Sequence, residues 1–159
     1  MIRERRDEDL DRLVAIAEEV RRRLGLPPMA DLAGWLDDPD AELSWVYDMA
    51  PVRVTPTRNV VAHLQILRPR EDHPVVACMK EPVGGLLVIG KLFVRPDPHE
   101  DGFRRYLLKE ATHYIRRQGK VPALDGRDSW FLSADLCHRL GFEELDLPGW
   151  FADKRHYVK

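Results

Sequence analysis

A mixed α/β (α+β) domain follows from three features of the 159-residue sequence. Two long stretches carry apolar residues at steps of three and four, the helical period. Between them, Leu86 to Val94 is almost unbroken apolar sequence, as in a strand buried on both faces. Shorter β-like runs stand on either side. A single domain of this length buries about two-thirds of its unfolded surface. Its 44% apolar and 33% charged residues suit a globular chain and not a disordered one.

In chain order, Ile2 to Arg5 has a weak strand pattern. The first helix spans Asp7 to Leu24, with Leu10, Leu13, Val14, Ala17, Val20 and Leu24 as its stripe. Asp7 is the expected N-cap. Acidic residues follow in the first turn, Arg21, Arg22 and Arg23 fill the last, and Gly25 ends it, all in keeping with the helix dipole. Leu26-Pro27-Pro28 breaks the chain, and Met29, Leu32, Ala33 and Leu36 predict a short helix. Leu43, Trp45 and Tyr47 alternate as a strand, Val60 to Leu67 is another, and Pro74 to Lys80 allows one short helix. Arg95-Pro96-Asp97-Pro98 stops the buried strand. The second long helix runs from Asp101 to Gln118, with Phe103, Leu107, Ala111, Tyr114 and Ile115 inward. A strand at Val121 to Asp125, a helix at Phe131 to Leu140, and strands at Phe142 to Leu147 and Arg155 to Val158 complete the pattern.

Several classes of function drop out. With 25 Lys and Arg against 27 Asp and Glu, the net charge of −2 supplies no general field for nucleic acid. Two cysteines, Cys78 and Cys137, are too few for a disulfide framework or a four-thiolate zinc site. The charged N-terminus and the lack of a long apolar run predict a soluble cytoplasmic protein without a membrane partner. Gly85 to Lys91 has P-loop spacing, but Leu92 stands where Ser or Thr must hold magnesium. His99-Glu100 begins like a zinc-protease helix, but Phe103 occupies the second ligand position, so no metal is expected.

The informative stretch is Leu86 to Phe142. A buried strand passes through a proline turn into a helix, whose N-terminal N–H groups suit a phosphate, and Gly102 would allow close backbone approach. Lys91-Leu92-Phe93-Val94-Arg95-Pro96-Asp97-Pro98-His99-Glu100-Asp101-Gly102-Phe103-Arg104-Arg105-Tyr106-Leu107-Leu108 resembles the core motif of the GNAT family of acetyl-CoA-dependent N-acyltransferases. Ala134-Asp135-Leu136-Cys137-His138-Arg139-Leu140-Gly141-Phe142 resembles the second signature of that family, and the spacing between the two agrees. The resemblance extends to Ile2–Leu24 and so covers nearly the whole chain. It implies one domain over residues 1–159, with a mixed central sheet, a V-shaped splay and flanking helices. It also implies acetyl-CoA as co-substrate. The backbone amides of Phe93 and Val94 would hold the pantetheine and polarise the thioester. His99, Glu100, Asp101, Gly102, Phe103, Arg104 and Arg105 would form the pyrophosphate loop.

The departures from that pattern are specific. Glu100 and Asp101 place two carboxylates beside the expected pyrophosphate, and like charges oppose its binding. Arg104, in place of the last Gly or Ala, and Arg105 can offset them, or Asp101 can serve as the helix N-cap. Cys137 stands where a Tyr often protonates the departing thiolate. It is a candidate general acid or, alternatively, a small buried core residue. Leu86 to Val94 holds no carboxylate, so the candidates for a base are His63 and Glu81, although a lone His between Ala62 and Leu64 also reads as structural. Trp35, Trp45, Tyr47 and Trp130 either line an acceptor pocket or belong to the core. The expected activity is direct transfer of an acetyl group from acetyl-CoA to a primary amine of a small molecule or peptide. The alternative is a GNAT-fold protein without catalysis that binds an acyl-CoA or another ligand, or an interaction module whose exposed strands pair in a homodimer.

Overall fold

A computed structural model describes residues 1–49, 59–130 and 132–153. The described strands are β1 (Ile2–Glu4), β2 (Ala41–Asp48), β3 (Val60–Leu67), β4 (Leu86–Val94), β5 (Val121–Asp125), β6 (Phe142–Glu144) and β7 (Trp150–Asp153). The helices are α1 (Leu10–Arg23), α2 (Leu32–Leu36), α3 (Pro74–Met79), α4 (Glu100–Arg117) and α5 (Ala134–Arg139). The strands form one sheet in the order β1-β2-β3-β4-β5-β7-β6, in which only β4 and β5 are parallel.

Every residue of β4 is buried, as its unbroken apolar run requires. One face of the sheet packs Ala62, Leu64, Ile66, Leu87, Ile89, Leu92 and Val94 against Leu107, Leu108, Ala111 and Ile115 of α4. On the other face, Val46, Val60 and Phe93 meet Leu13, Ile16, Ala17 and Val20 of α1 and Leu32 and Leu36 of α2. A third cluster joins Val75 and Met79 of α3 to Leu86, Val88, Ala123 and Trp150. Each such aliphatic burial contributes about 1.5–3 kcal/mol, so the helical stripes dock the helices.

The start of α1 differs from expectation. Asp7 to Asp9 form a 3-10 turn, and Asp9, not Asp7, does the capping work. Its carboxylate accepts the Arg6 N–H at 2.8 Å and both Nη groups of Arg3 at 2.7 and 2.9 Å. Arg3 Nε donates to Asp48 at 3.0 Å, which ties β1, α1 and β2 together. Burial alone would raise the Asp9 pKa, but Arg3 and the Arg6 amide outweigh it and hold the carboxyl below its usual value. The last helix also starts late, at Ala134, because Ser133 caps it by accepting the Leu136 N–H at 3.1 Å. The expected strand at Phe142–Leu147 closes at Glu144, and β7 is an additional strand. The strand expected at Arg155–Val158 lies outside the described residues.

A β-bulge interrupts β4. His63 pairs with Phe93 and Gln65 with Gly90, so β4 inserts an extra residue between these pairs. Lys91 takes up the irregularity with φ +51°. Its carbonyl accepts from His63 Nδ1 at 2.8 Å, and its Nζ reaches Asp38 at 2.9 Å and the Trp35 carbonyl. His63 is fully buried and stacks on Phe93 at 5.1 Å. Burial drives its pKa from 6.5 down to about 3, so the imidazole is neutral in the folded protein.

Two outcomes follow. Asp9→Ala leaves Arg3 without its main counter-charge in a buried site and is expected to cost about 3–5 kcal/mol in urea unfolding. The unfolded chain protonates His63 near its ordinary pKa while the fold does not. The stability that depends on its neutral form is therefore intact above pH 6.5 and falls as pH drops. The expected loss from this group at pH 5.5 is about 1.4 kcal/mol relative to neutral pH. Urea unfolding at pH 7.5 and 5.5 measures it, and His63→Leu should remove that share of the pH dependence.

Candidate functional site

The two parallel strands part company in the middle of the sheet. β4 and β5 pair from Leu86↔Val121 to Ile89↔Leu124, after which β4 continues to Val94 while β5 ends at Asp125. Arg95 N–H donates to Val61 O at 2.7 Å, so by strand alternation the Phe93 amide also faces β3. The amides of Leu92 and Val94 face the splay instead. Leu92 is engaged there: its N–H donates to Ser129 Oγ at 3.2 Å, and its carbonyl accepts the Trp130 N–H at 2.9 Å. Of the two amides expected at the thioester, that of Val94 thus faces the splay and that of Phe93 faces β3.

The turn leaving β4 leads to α4. Asp97 organises it, accepting the His99 N–H on its side chain at 2.8 Å and the Glu100 N–H on its carbonyl at 3.1 Å. Gly102 and Phe103 donate to His99 O at 3.0 and 3.3 Å. A Cβ added at Gly102 would meet nothing within 4 Å, so the loop surface there is open to a ligand. Arg104 is buried, at 1% exposure, and donates to Asp101 at 2.8 Å and Glu100 at 3.3 Å. The two carboxylates that oppose an anion are therefore already drawn onto a buried guanidinium. Arg105 stays exposed and begins a groove of about 280 Å³ that also takes in Lys109, His113 and Arg139.

The expected catalytic side chains are scattered. Cys137 is buried in the main core with Leu92 and Phe142, and burial pushes its thiol up to about 11. His63 is locked between Phe93 and the Lys91 carbonyl, and a neutral imidazole that resists protonation is a poor base. Glu81 precedes β4, a full strand length of roughly 25 Å from Val94. Another carboxylate stands nearer the splay. Asp125 closes β5 where the splay opens, and a Cβ built on Gly90 would lie 3.8 Å from its own. Burial, aided by Asp128, raises the Asp125 pKa above its ordinary value. A sequence signal existed in the run Asp125-Gly126-Arg127-Asp128-Ser129, polar residues directly after a buried strand.

The aromatic candidates divide between two faces. Trp45 and Tyr47 pack on the α4 side against Tyr114 and Phe103, at 5.8 and 4.9 Å. Trp35, Phe93 and Trp130 stack on the α1–α2 side, with Trp35–Trp130 at 5.1 Å and Phe93–Trp130 at 5.3 Å. Trp130 thus closes the splay with its backbone and walls the opposite face with its ring.

No protein-family model and no curated protein matches the sequence. Solved structures do match. A GNAT-family acetyltransferase from Staphylococcus aureus Mu50 superposes with a TM-score of 0.67 at 16% identity, over 96% of each chain. A GNAT-family acetyltransferase from Brucella melitensis, solved in complex with acetyl-CoA, gives 0.62 at 17% identity over 96% of this chain and 85% of that one. An aminoglycoside 6′-acetyltransferase of type Ii gives 0.64 at 11% identity over 96% and 95%. With the β4 bulge, the β4–β5 splay and the turn into α4 all in place, the chain has the fold of the GNAT acetyltransferases.

Proposed function

We propose that the protein is an N-acetyltransferase that moves an acetyl group from acetyl-CoA to a primary amine. The observation that carries this reading is the Val94 amide facing a splay whose mouth adjoins the open turn into α4. Acetyl-CoA supplies the acyl group as a thioester, which the amine attacks directly as the carbon–sulfur bond breaks. The Val94 N–H donates to the thioester oxygen as it gains negative charge. The turn from His99 to Arg105 holds the pyrophosphate: Arg104 exchanges one carboxylate for phosphate, and Arg105 adds a second cation. The basic groove beyond Arg105 suits the remaining nucleotide phosphate. Asp125 takes the proton from the amine. Cys137 is fully buried in the core with its thiol pushed up to about 11, so the departing thiolate takes its proton from solvent and not from this side chain.

One observation favours a second reading, a GNAT-fold binding protein without turnover. Ser129 and Trp130 already occupy both hydrogen-bonding groups of Leu92 in the splay, where a pantetheine would run.

Calorimetric titration with acetyl-CoA separates these from a scaffold that takes no cofactor. The expected result is micromolar binding, weakened at least tenfold by Arg105→Glu and strengthened by Asp101→Asn, which removes an exposed negative charge from the loop. No binding at millimolar acetyl-CoA would overturn the proposal. Turnover distinguishes enzyme from binding protein. A base must be deprotonated, so the rate should rise with pH through the elevated Asp125 pKa. Asp125→Asn should lower kcat by about 10²–10⁴-fold and flatten that limb, with acetyl-CoA affinity retained.

A further inference from the structure

The segment that follows β5 closes the inner end of the splay. Ser129 Oγ accepts the Leu92 N–H at 3.2 Å, and the Trp130 N–H donates to Leu92 O at 2.9 Å. Both residues are buried, Ser129 at 4% and Trp130 at 5% exposure. The Trp130 ring stacks on Trp35 at 5.1 Å and on Phe93 at 5.3 Å, and the Arg21 guanidinium carbon lies 5.4 Å over it. Stacking and cation–π contact on top of the two hydrogen bonds make this segment a fixed stop against the edge of β4. The sheet faces are filled at the same level. Leu92 and Val94 pack into the core with Leu107 and Leu108, and Phe93 belongs to the aromatic stack.

The direction of β4 decides what meets this stop. The strand runs outward through Val94 into the turn before α4, where the pyrophosphate is assigned. A thioester with its oxygen on the Val94 amide therefore has its pantetheine on the outward side and its acyl group on the inward side, toward Leu92. A pantetheine laid further in, over Leu92, would collide with Ser129 and Trp130; one that ends at Val94 does not. Leu92 and Val94 are two residues apart on one strand edge, so Ser129 Oγ stands about 7 Å along that edge from the thioester oxygen. Non-bonded atoms rest about 3.5–4 Å apart, which leaves about 3 Å for the acyl chain beyond the carbonyl.

We infer that Ser129 and Trp130 set the acyl-chain length of the donor, admitting an acetyl or propionyl thioester and rejecting longer straight chains. The inference rests on the acetyl-transfer reading and names the specificity-determining residues of that same site. Ser129 is the contact at the end of the chain. Trp130 holds Ser129 against Leu92 and keeps it from yielding to a longer group. Interiors of this density do not absorb extra methylenes without displacing their neighbours.

The test is calorimetric titration with acetyl-, propionyl-, butyryl-, hexanoyl- and octanoyl-CoA, which needs no knowledge of the acceptor. Acetyl- and propionyl-CoA are expected to bind within about threefold of each other, and hexanoyl- and octanoyl-CoA at least tenfold more weakly than acetyl-CoA. Ser129→Gly shortens the stop and should improve butyryl-CoA relative to acetyl-CoA at least threefold. Ser129→Thr extends it and should weaken propionyl-CoA relative to acetyl-CoA. Each variant is read as a ratio between two thioesters, so a general loss of affinity cancels, and melting curves verify folding. The series on the unaltered protein stands without any variant. Hexanoyl-CoA bound as tightly as acetyl-CoA would overturn the inference and leave the transfer reading standing. A length preference that neither Ser129 variant moves would overturn the assignment to this segment. Binding of none of the thioesters at millimolar concentration removes the transfer reading itself, and the inference with it.

Discussion

The geometry of the site depends on one backbone irregularity, the bulge at Lys91. A non-glycine residue in the left-handed region costs about 1–2 kcal/mol, and its surroundings must hold it there. They do so from three directions: His63 Nδ1 on the Lys91 carbonyl, and Asp38 and the Trp35 carbonyl on its ammonium. The bulge resets the phase of β4, so that Leu92 and Val94 present their backbone to the splay while Phe93 places its ring among Trp35, Trp130 and His63. A regular strand would put these groups the other way. The neutral buried His63 is a cost of this arrangement.

A second constraint governs the turn into α4. Two carboxylates at a helix N-terminus suit the helix dipole and disfavour a phosphate in the same space. Arg104 reconciles the two demands by drawing Glu100 and Asp101 onto itself from a buried position. Asp101 is 72% exposed, so solvent weakens its repulsion of an incoming anion. The loop therefore stays compatible with an anionic ligand although its sequence is unusual for one.

The legibility of the molecule followed the size of the signal. Both long helices, the fully buried β4, and the strands β3 and β5 carry patterns of many residues, and the structure places all of them close to expectation. Short elements fared worse. β7 is four residues long and follows a Leu-Pro-Gly turn, so its strand character comes from pairing with β5 and β6 and not from its own pattern. Asp9 displaced Asp7 as the residue that organises the start of α1 because Arg3, six positions earlier, reaches it across β1. The aromatic residues looked like one cluster in sequence, yet strand alternation sent Trp45 and Tyr47 to one face while α2 and the segment after β5 brought Trp35 and Trp130 to the other.

The sequence by itself determined the fold class, the parallel strand that becomes the spine, and the turn and helix that carry Gly102, Arg104 and Arg105. Those features depend on local propensity and on burial patterns that repeat along the chain, which a linear reading can detect. Tertiary structure alone decided which amides face the splay, that Asp125 and not Glu81 stands at its opening, and that Arg21 lies over Trp130. Each of these rests on a contact between segments far apart in the chain. Strand register, the bulge and helix docking set such contacts, and no single segment encodes them.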